Sequence, residues 1–274
     1  MGKADNMDRI QKIFRKYRDE KRKALVIFNS CGFPDEKSSE ELIGKSIEAG
    51  ADIIELGVPF SDPIADGVMI QKASQIALKN GITLKKILAM AQRIRARYPD
   101  TGLILFSYFN VMMNYGLEAL AAKLEQIGVD GILAVDVPHE ESGELKPLCA
   151  KHHLHLIPLV SPTTSLARAE MIMRDATGFV YYVTVRGVTG ERSKLPPELA
   201  ERLAQLRSLS PVPVVAGFGI STEDAARAVA KHADGVVVGS AAIHPMFGEE
   251  KITERQEKVA VLVKSLARGV SHAE

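Results

Sequence analysis

Eight short β-rich runs, each followed by a helical pattern, predict an α/β fold for this 274-residue chain: a (β/α)8 TIM barrel. Two further observations favour a closed barrel. No G-x-G-x-x-G turn follows the first run, as a doubly wound dinucleotide-binding sheet would require. Gly50-Ala51-Asp52, Gly128-Val129-Asp130 and His232-Ala233-Asp234 also repeat one signal, a helix stop that opens directly into a strand. That repeat is what the lower rim of a barrel needs.

The elements follow in order. Ile10, Ile13, Phe14 and Tyr17 recur at helical spacing, so residues 8–21 form an amphipathic helix ahead of the eight units. Asp8, Asp19 and Glu20 dilute the basic run Lys21-Arg22-Lys23, which reads as a solvated face. Strands are expected at 24–30, 52–56, 103–108, 130–136, 154–160, 178–184, 212–216 and 234–239. Helices are expected at 36–49, 69–97, 116–127, 140–152, 165–175, 197–208, 221–231 and 251–267. Asn80-Gly81 breaks the long pattern and leaves an extra helix after strand 2. No linker or shift of composition divides the chain, so residues 1–274 are expected to form a single domain.

Thirty-five basic and thirty-four acidic residues leave a net charge of +1, which gives no bulk attraction to nucleic acid or an anionic membrane. Cys31 and Cys149 are the two cysteines, too few for a disulfide framework and suited to a reducing cytosol. No apolar stretch approaches the roughly 20 residues that span a bilayer. The N-terminus lacks the apolar core of a signal peptide and the hydroxyl residue of a myristoylation site, so a cytoplasmic location is expected.

In this fold class the active site lies at the C-terminal strand ends. Strand 2 ends in Glu55, and Glu-Leu-Gly-Val-Pro-Phe-Ser-Asp-Pro-Ile-Ala-Asp-Gly at 55–67 carries Asp66 on the loop above it. A carboxylate in a buried strand must be paired, neutral or working. Either a salt bridge for Glu55 and a simple turn role for Asp66, or acid–base chemistry by both, fits the residues taken singly. Gly217-Phe218-Gly219 and Gly239-Ser240 follow strands 7 and 8, where such barrels often bind phosphate on backbone N–H groups and a short helix. Gly187-Val188-Thr189-Gly190 could add a donor and close as a lid. With a phosphate corner facing them, the two carboxylates point to acid–base chemistry on a phosphorylated small molecule. Cys149, His152, His153 and His155 superficially resemble a metal site. They fall at the lower face, where alternation would turn His153 and His155 one way and His152 the other, and structural roles are expected rather than a metal.

The motif at 55–67, with Gly187-Val188-Thr189-Gly190, Gly217-Phe218-Gly219-Ile220 and Gly239-Ser240, resembles the tryptophan synthase α subunit family over residues 8–267. The resemblance implies retro-aldol cleavage of indole-3-glycerol phosphate to indole and glyceraldehyde 3-phosphate. It implies an αββα heterotetramer with a β subunit that carries pyridoxal phosphate, and no cofactor in this chain. By motif, Glu55 would be the acid–base group and Asp66 would hold the indole N–H. Phe28, Phe106, Tyr108 and Val135 would wall the indole, and Tyr181 would pack against substrate and Glu55. Gly190, Phe218, Gly219, Gly239 and Ser240 would surround the phosphate, with Thr189 anchoring the closing loop on Asp66. Asp62, Pro63, Asn110 and Pro138 would meet the β subunit. The strand 1 exit, Asn29-Ser30-Cys31-Gly32-Phe33-Pro34, departs from the commoner Val/Ile-Thr-x-Gly pattern but keeps a hydroxyl at Ser30. Thr184 stands where Ser is frequent, and Arg186 precedes the glycine loop. A stand-alone lyase and a non-catalytic regulator of the β enzyme are the alternative roles.

Overall fold

A computed structural model describes residues 8–183, 195–217 and 219–271. Helix α1 (Arg9–Asp19) is capped by Asp8, whose side chain accepts the Gln11 N–H at 2.8 Å. Strand β1 (Ala24–Ser30) and α2 (Glu36–Glu48) follow, then β2 (Ile53–Gly57) with two helices, α3 (Val68–Lys79) and α4 (Leu84–Arg97). The break between those helices falls where the sequence places it. Gly81 takes a left-handed φ of 74°, and the Thr83 side chain caps α4 through the Lys86 N–H.

Strand β3 (Gly102–Ser107) leads into α5 (Phe109–Tyr115), α6 (Leu117–Ile127) and β4 (Gly131–Ala134). Next come a 3-10 turn at His139–Glu141, α7 (Leu145–Lys151), and strands β5 (His155–Leu156) and β6 (Leu159–Val160). The chain continues through α8 (Leu166–Met173), β7 (Val180–Val183), α9 (Pro197–Leu209) and β8 (Val214–Gly217). It ends with α10 (Glu223–Ala230), β9 (Gly235–Val238), α11 (Ser240–Ile243) and α12 (Ile252–Ser271). Among the described residues, no helix is long and apolar enough to cross a membrane.

All strand pairs are parallel, and the sheet runs β5-β4-β3-β2-β1-β9-β8-β7-β6. Its two end strands are consecutive in the chain, with only Ile157 and Pro158 between them. Ile157 N–H donates to Ile132 of β4 at 2.8 Å, and Tyr181 N–H of β7 donates to the Pro158 carbonyl at 3.0 Å. The ring of eight therefore closes through a fifth strand in two pieces. The sequence predicts one strand over 154–160; Pro158 has no N–H for the ladder, so pairing stops there.

Three other expectations change. The exit of β3 is itself helical, as α5, a seven-residue helix too short to show a period and ended by Gly116 at φ 93°. The helix expected over 140–152 begins at Leu145, because Ser142 Oγ donates to the His139 carbonyl at 2.5 Å and holds a separate 3-10 turn. His152 and His153 both meet Glu125, each at 2.8 Å, because His153 sits in a turn at φ 54° where strand alternation does not apply. His155 pairs with Asp8 at 3.2 Å.

Strand alternation sorts the core. Val26, Ile53, Ile104, Leu133, Phe179, Val215 and Val237 form a cluster inside the barrel, and Ile10, Ile13, Phe14 and Tyr17 of α1 plug its lower mouth. Leu25, Ile27, Ile54, Leu56, Leu103 and Leu105 belong to the larger cluster shared with the surrounding helices. The repeated helix-stop signal acquires a physical role at the lower rim. Asp52, Asp130 and Asp234 accept the strand N–H groups of Leu25 (2.8 Å), Leu103 (2.8 Å) and Val214 (3.0 Å). Each also binds an arginine: Arg22 at 2.6 Å, Arg95 at 2.9 Å and Arg207 at 2.8 Å, with Arg9 as a second partner of Asp130. Arg22 is thus drawn off the solvated face expected for the basic run, and it lies 3.9 Å over the Tyr17 ring. Replacing Asp130 by Ala leaves Arg9 and Arg95 without their carboxylate. A loss of about 3–5 kcal/mol in urea unfolding is expected, and a loss under about 1 kcal/mol would show that the rim clamp is dispensable.

Candidate active site

Glu55 lies on β2 between Phe28 of β1 and Ile104 of β3 in the ladder register. Ile53, Glu55 and Gly57 share one face of the strand, and Ile53 belongs to the inner cluster, so Glu55 faces the barrel interior. It is 1% exposed, and neither carboxylate oxygen has a hydrogen-bond partner among the described residues. Burial alone pushes its pKa up to about 8. At neutral pH this side chain is an acid holding its proton.

The wall around it is aromatic. The Phe28 and Phe106 rings meet edge to face at 5.0 Å. Gly57 is required there, since a Cβ at that position would lie 2.3 Å from Phe28 Cζ. Tyr181 reaches Glu55 electrostatically; burial first, and then the Glu55 charge, raises its phenol far above the ordinary value. Gly217 makes room for that phenol, as a Cβ there would start 2.8 Å from its oxygen. Val135 is half-buried beyond β4, its N–H bonded to Ser107 at 3.0 Å.

The loop after β2 is pinned at its base and engaged near its end. Cys31 N–H donates to the Gly57 carbonyl and Val58 N–H to Phe106, both at 2.9 Å. Farther on, Phe60 stacks on Tyr108 at 4.8 Å, and the Ala65 N–H donates to the Tyr108 hydroxyl at 3.2 Å. The same hydroxyl stands beside Asp66. Burial raises the Asp66 carboxyl above its usual range, and Tyr108 works against that rise. The Asp66 carbonyl accepts from Gln71 Nε2 at 2.8 Å, tying the loop to α3.

The glycine corner expected to take phosphate adjoins these groups. Gly219 is exposed at φ 65°, and Ser240 opens α11 with its side chain exposed. A Cβ on Gly239 would start 3.7 Å from Phe28, and one on Gly67 would start 3.8 Å from Ser240 Oγ. The glycines after β8 and β9, the aromatic wall and the Asp66 loop therefore form one site. Thr189, Gly190 and Phe218 lie outside the described residues. Asp62, Asn110 and Pro138 are exposed at the upper rim and Pro63 is partly so, beside Ile64 (80% exposed), Val68 (66%) and Met113 (55%). A cavity of about 610 Å³ opens next to this site, between β4, the broken strand and helices α7 and α8; its lining includes Val135, Pro138 and Ile64 but not Glu55.

Ser30, already noted for its hydroxyl at the strand 1 exit, is joined by Asn29 and Phe60, to which the sequence assigns no role. Ser30 Oγ and Asn29 Nδ2, at the end of β1, are buried without partners among the described residues. Ser30 is in register with Gly57, so its hydroxyl shares the inward face one step above Glu55. Phe60, which holds Tyr108 flat beneath the loop, gave no signal because an aromatic between two prolines has no periodicity to read. The histidines, by contrast, are taken up by Glu118, Glu125 and Asp8, far from Glu55 in the fold.

Comparisons with known proteins agree with this fold. A family model described as the tryptophan synthase alpha chain matches residues 14–271. The chain is 46% identical over 266 residues to the tryptophan synthase alpha chain of Geobacter sulfurreducens, covering 97% of this chain and 100% of that one. It is 39% identical over 265 residues to that of Aquifex aeolicus, covering 96% and 99%. The solved alpha chain of Legionella pneumophila subsp. pneumophila matches with a TM-score of 0.87 at 33% identity, over 96% of this chain and 97% of that one. A chain of tryptophan synthase from M. tuberculosis gives 0.87 at 29% identity, over 97% and 100%. Alpha chains of this family cleave indole-3-glycerol phosphate, a lyase reaction of tryptophan biosynthesis. They function with a β subunit, which holds the pyridoxal phosphate, and need no cofactor of their own. With the barrel, the acid at its centre and matches along nearly its whole length, the chain belongs to the tryptophan synthase alpha chain family.

Proposed function

We propose that Glu55 moves the protons of the cleavage and that Asp66 stabilises the charge that develops on the indole ring. The observation that carries this reading is the Glu55 carboxyl, buried without a partner among the described residues and holding its proton up to about pH 8. Proton transfer to C3 of the indole converts the ring to a cationic indolenine. The bond from C3 to the glycerol chain then breaks, its electrons return to the ring nitrogen, and the hydroxyl proton of the departing chain passes to the Glu55 carboxylate. Indole and glyceraldehyde 3-phosphate leave, and Glu55 is protonated again.

Asp66 is suited to the second task because its loop brings a carboxylate to the aromatic wall without an opposing cation. Phe28, Phe106, Tyr108, Val135 and Tyr181 would enclose the ring. Gly219, Gly239 and Ser240, with Gly190 and Phe218, would take the phosphate, and Thr189 would hold the lid to Asp66. Asp62, Pro63, Asn110 and Pro138 would meet the β subunit in an αββα assembly, a reading supported by the exposed Ile64, Val68 and Met113 around them. The cavity joining Val135 to Pro138 offers indole a way from the barrel to that rim. We also assign residues 1–274 to one domain and the protein to the cytoplasm, in keeping with two buried free thiols and a biosynthetic role.

Indole release from indole-3-glycerol phosphate, measured with and without the β subunit, tests the assignment. Glu55→Gln is expected to lower turnover by about 10²–10⁴ with the far-UV spectrum unchanged; near-normal turnover would remove Glu55 from the chemistry. Asp66→Asn is expected to cost about 10²–10³, and an unchanged rate would reduce Asp66 to a turn residue. High turnover by the free chain would favour the stand-alone lyase.

Stability supplies an independent reading. The Glu55 pKa is about 8 in the fold and near 4.5 in the unfolded chain, so the folded state binds the extra proton between those values. Its contribution is intact below pH 4.5 and is lost as pH rises toward 8. Glu55→Gln removes the loss, so the variant should gain on the parent across that window, by about 5 kcal/mol at most. A stability difference that does not change with pH in urea titrations would contradict a proton held at this site.

A further inference from the structure

At the lower end of the barrel, away from Glu55, a second pocket of about 340 Å³ is lined by Arg18, Lys21, Arg22, Lys23 and Arg207. Phe14, Tyr17 and Pro213 complete its walls, and Asp234 is the one carboxylate in the lining. Five cations around one acid is a large local excess in a chain whose net charge is +1.

That acid is already committed. Arg207 binds Asp234 through Nε at 3.2 Å and Nη2 at 2.8 Å, and Asp234 also accepts the Val214 N–H at 3.0 Å. Arg22 is likewise engaged with Asp52 at 2.6 Å, although its Nε is buried with no partner among the described residues. At the C-cap of α1, Glu20 pairs with Lys16 at 4.0 Å. Arg18, Lys21 and Lys23 make no ion pair among the described residues. Burial, and then the charges of Arg207 and Arg18, hold the Lys23 ammonium below its usual pKa, against the pull of Asp234. The rim clamps account for Arg22 and Arg207. They leave Arg18, Lys21 and Lys23 without an ion pair among the described residues.

We propose that this lower pocket binds a small phosphate-bearing anion, held by Arg18, Lys21 and Lys23 against the Tyr17–Arg22 stack. Guanidinium- and ammonium-bearing residues lining one pocket supply the donors that a phosphate takes up. The volume lies at the lower end of the range for small-molecule sites and suits one phosphate with a few carbons. A nucleic acid would need a basic track over the surface, and the cations here surround a single pocket.

The test is a titration of the full chain with pyrophosphate at constant ionic strength, followed through assigned backbone amide resonances. Saturable shifts at Lys21, Arg22, Lys23 and Asp234 are expected, separate from any response at Gly219, Gly239 and Ser240 in the upper site. Lys21→Gln with Lys23→Gln should weaken the lower response by about tenfold or more, leaving the upper response and indole release as they were. Both rim arginine pairs are untouched in that variant, which protects the fold. Parallel titrations with inorganic phosphate and glycerol 3-phosphate show whether free phosphate or an ester is preferred. Shifts confined to the upper site, lower shifts reproduced by chloride, or lower shifts that survive the double substitution would each overturn the proposal.

Discussion

An ionisable carboxyl enclosed in an apolar barrel, with no hydrogen-bond partner among the described residues, is the constraint on which the upper half of this molecule depends. Ionising Glu55 in place would cost several kcal/mol, so the fold keeps the proton instead. Everything near it serves that state. The Phe28 and Phe106 rings keep the surroundings apolar, and two glycines, at 57 and 217, remove the side chains that would displace Phe28 and Tyr181. The ladder fixes the strand so that Glu55 has one position, and closure through Ile157-Pro158 keeps that ladder continuous.

The lower rim treats the same chemistry in the opposite way. Asp52, Asp130 and Asp234 each receive a strand N–H and an arginine. Those carboxylates close helix–strand junctions, where stability is at stake, and their charge is matched. Glu55 stands at the reacting end, where its charge is left unmatched and its proton is available. Asp66 lies between these extremes, on a loop with one phenol beside it. The difference between a structural and a reactive carboxylate in this barrel is therefore the number of donors each is given.

Much of this was legible in the residues. Alternation of β-rich and helical runs is a strong signal because each element must present one apolar face, and it placed the barrel and the added helices. Glu55 stood out as a charge inside an apolar strand. The split of the fifth strand was less visible, although Pro158 was there to be weighed, because a run of apolar residues around it reads as continuous. Seven-residue α5 is too short for a period to emerge. Arg22 in a basic run looked solvated, since its partners Tyr17 and Asp52 come from the helix before it and the junction leading into β2. The unpartnered state of Glu55 could not be read at all. It depends on what every neighbouring strand declines to offer, and only the assembled ring shows that.

The protonation of Glu55 can be measured directly. Carbon-13 labelling of the glutamate side-chain carboxyls, with Glu55 assigned by its disappearance in Glu55→Gln, gives a titration curve for that single group in the folded chain. A midpoint near pH 8 is expected, with the group protonated at pH 7. A midpoint near the ordinary value of about 4.5 would mean that Glu55 is solvated or paired in solution, and the acid proposed for the cleavage would not be there.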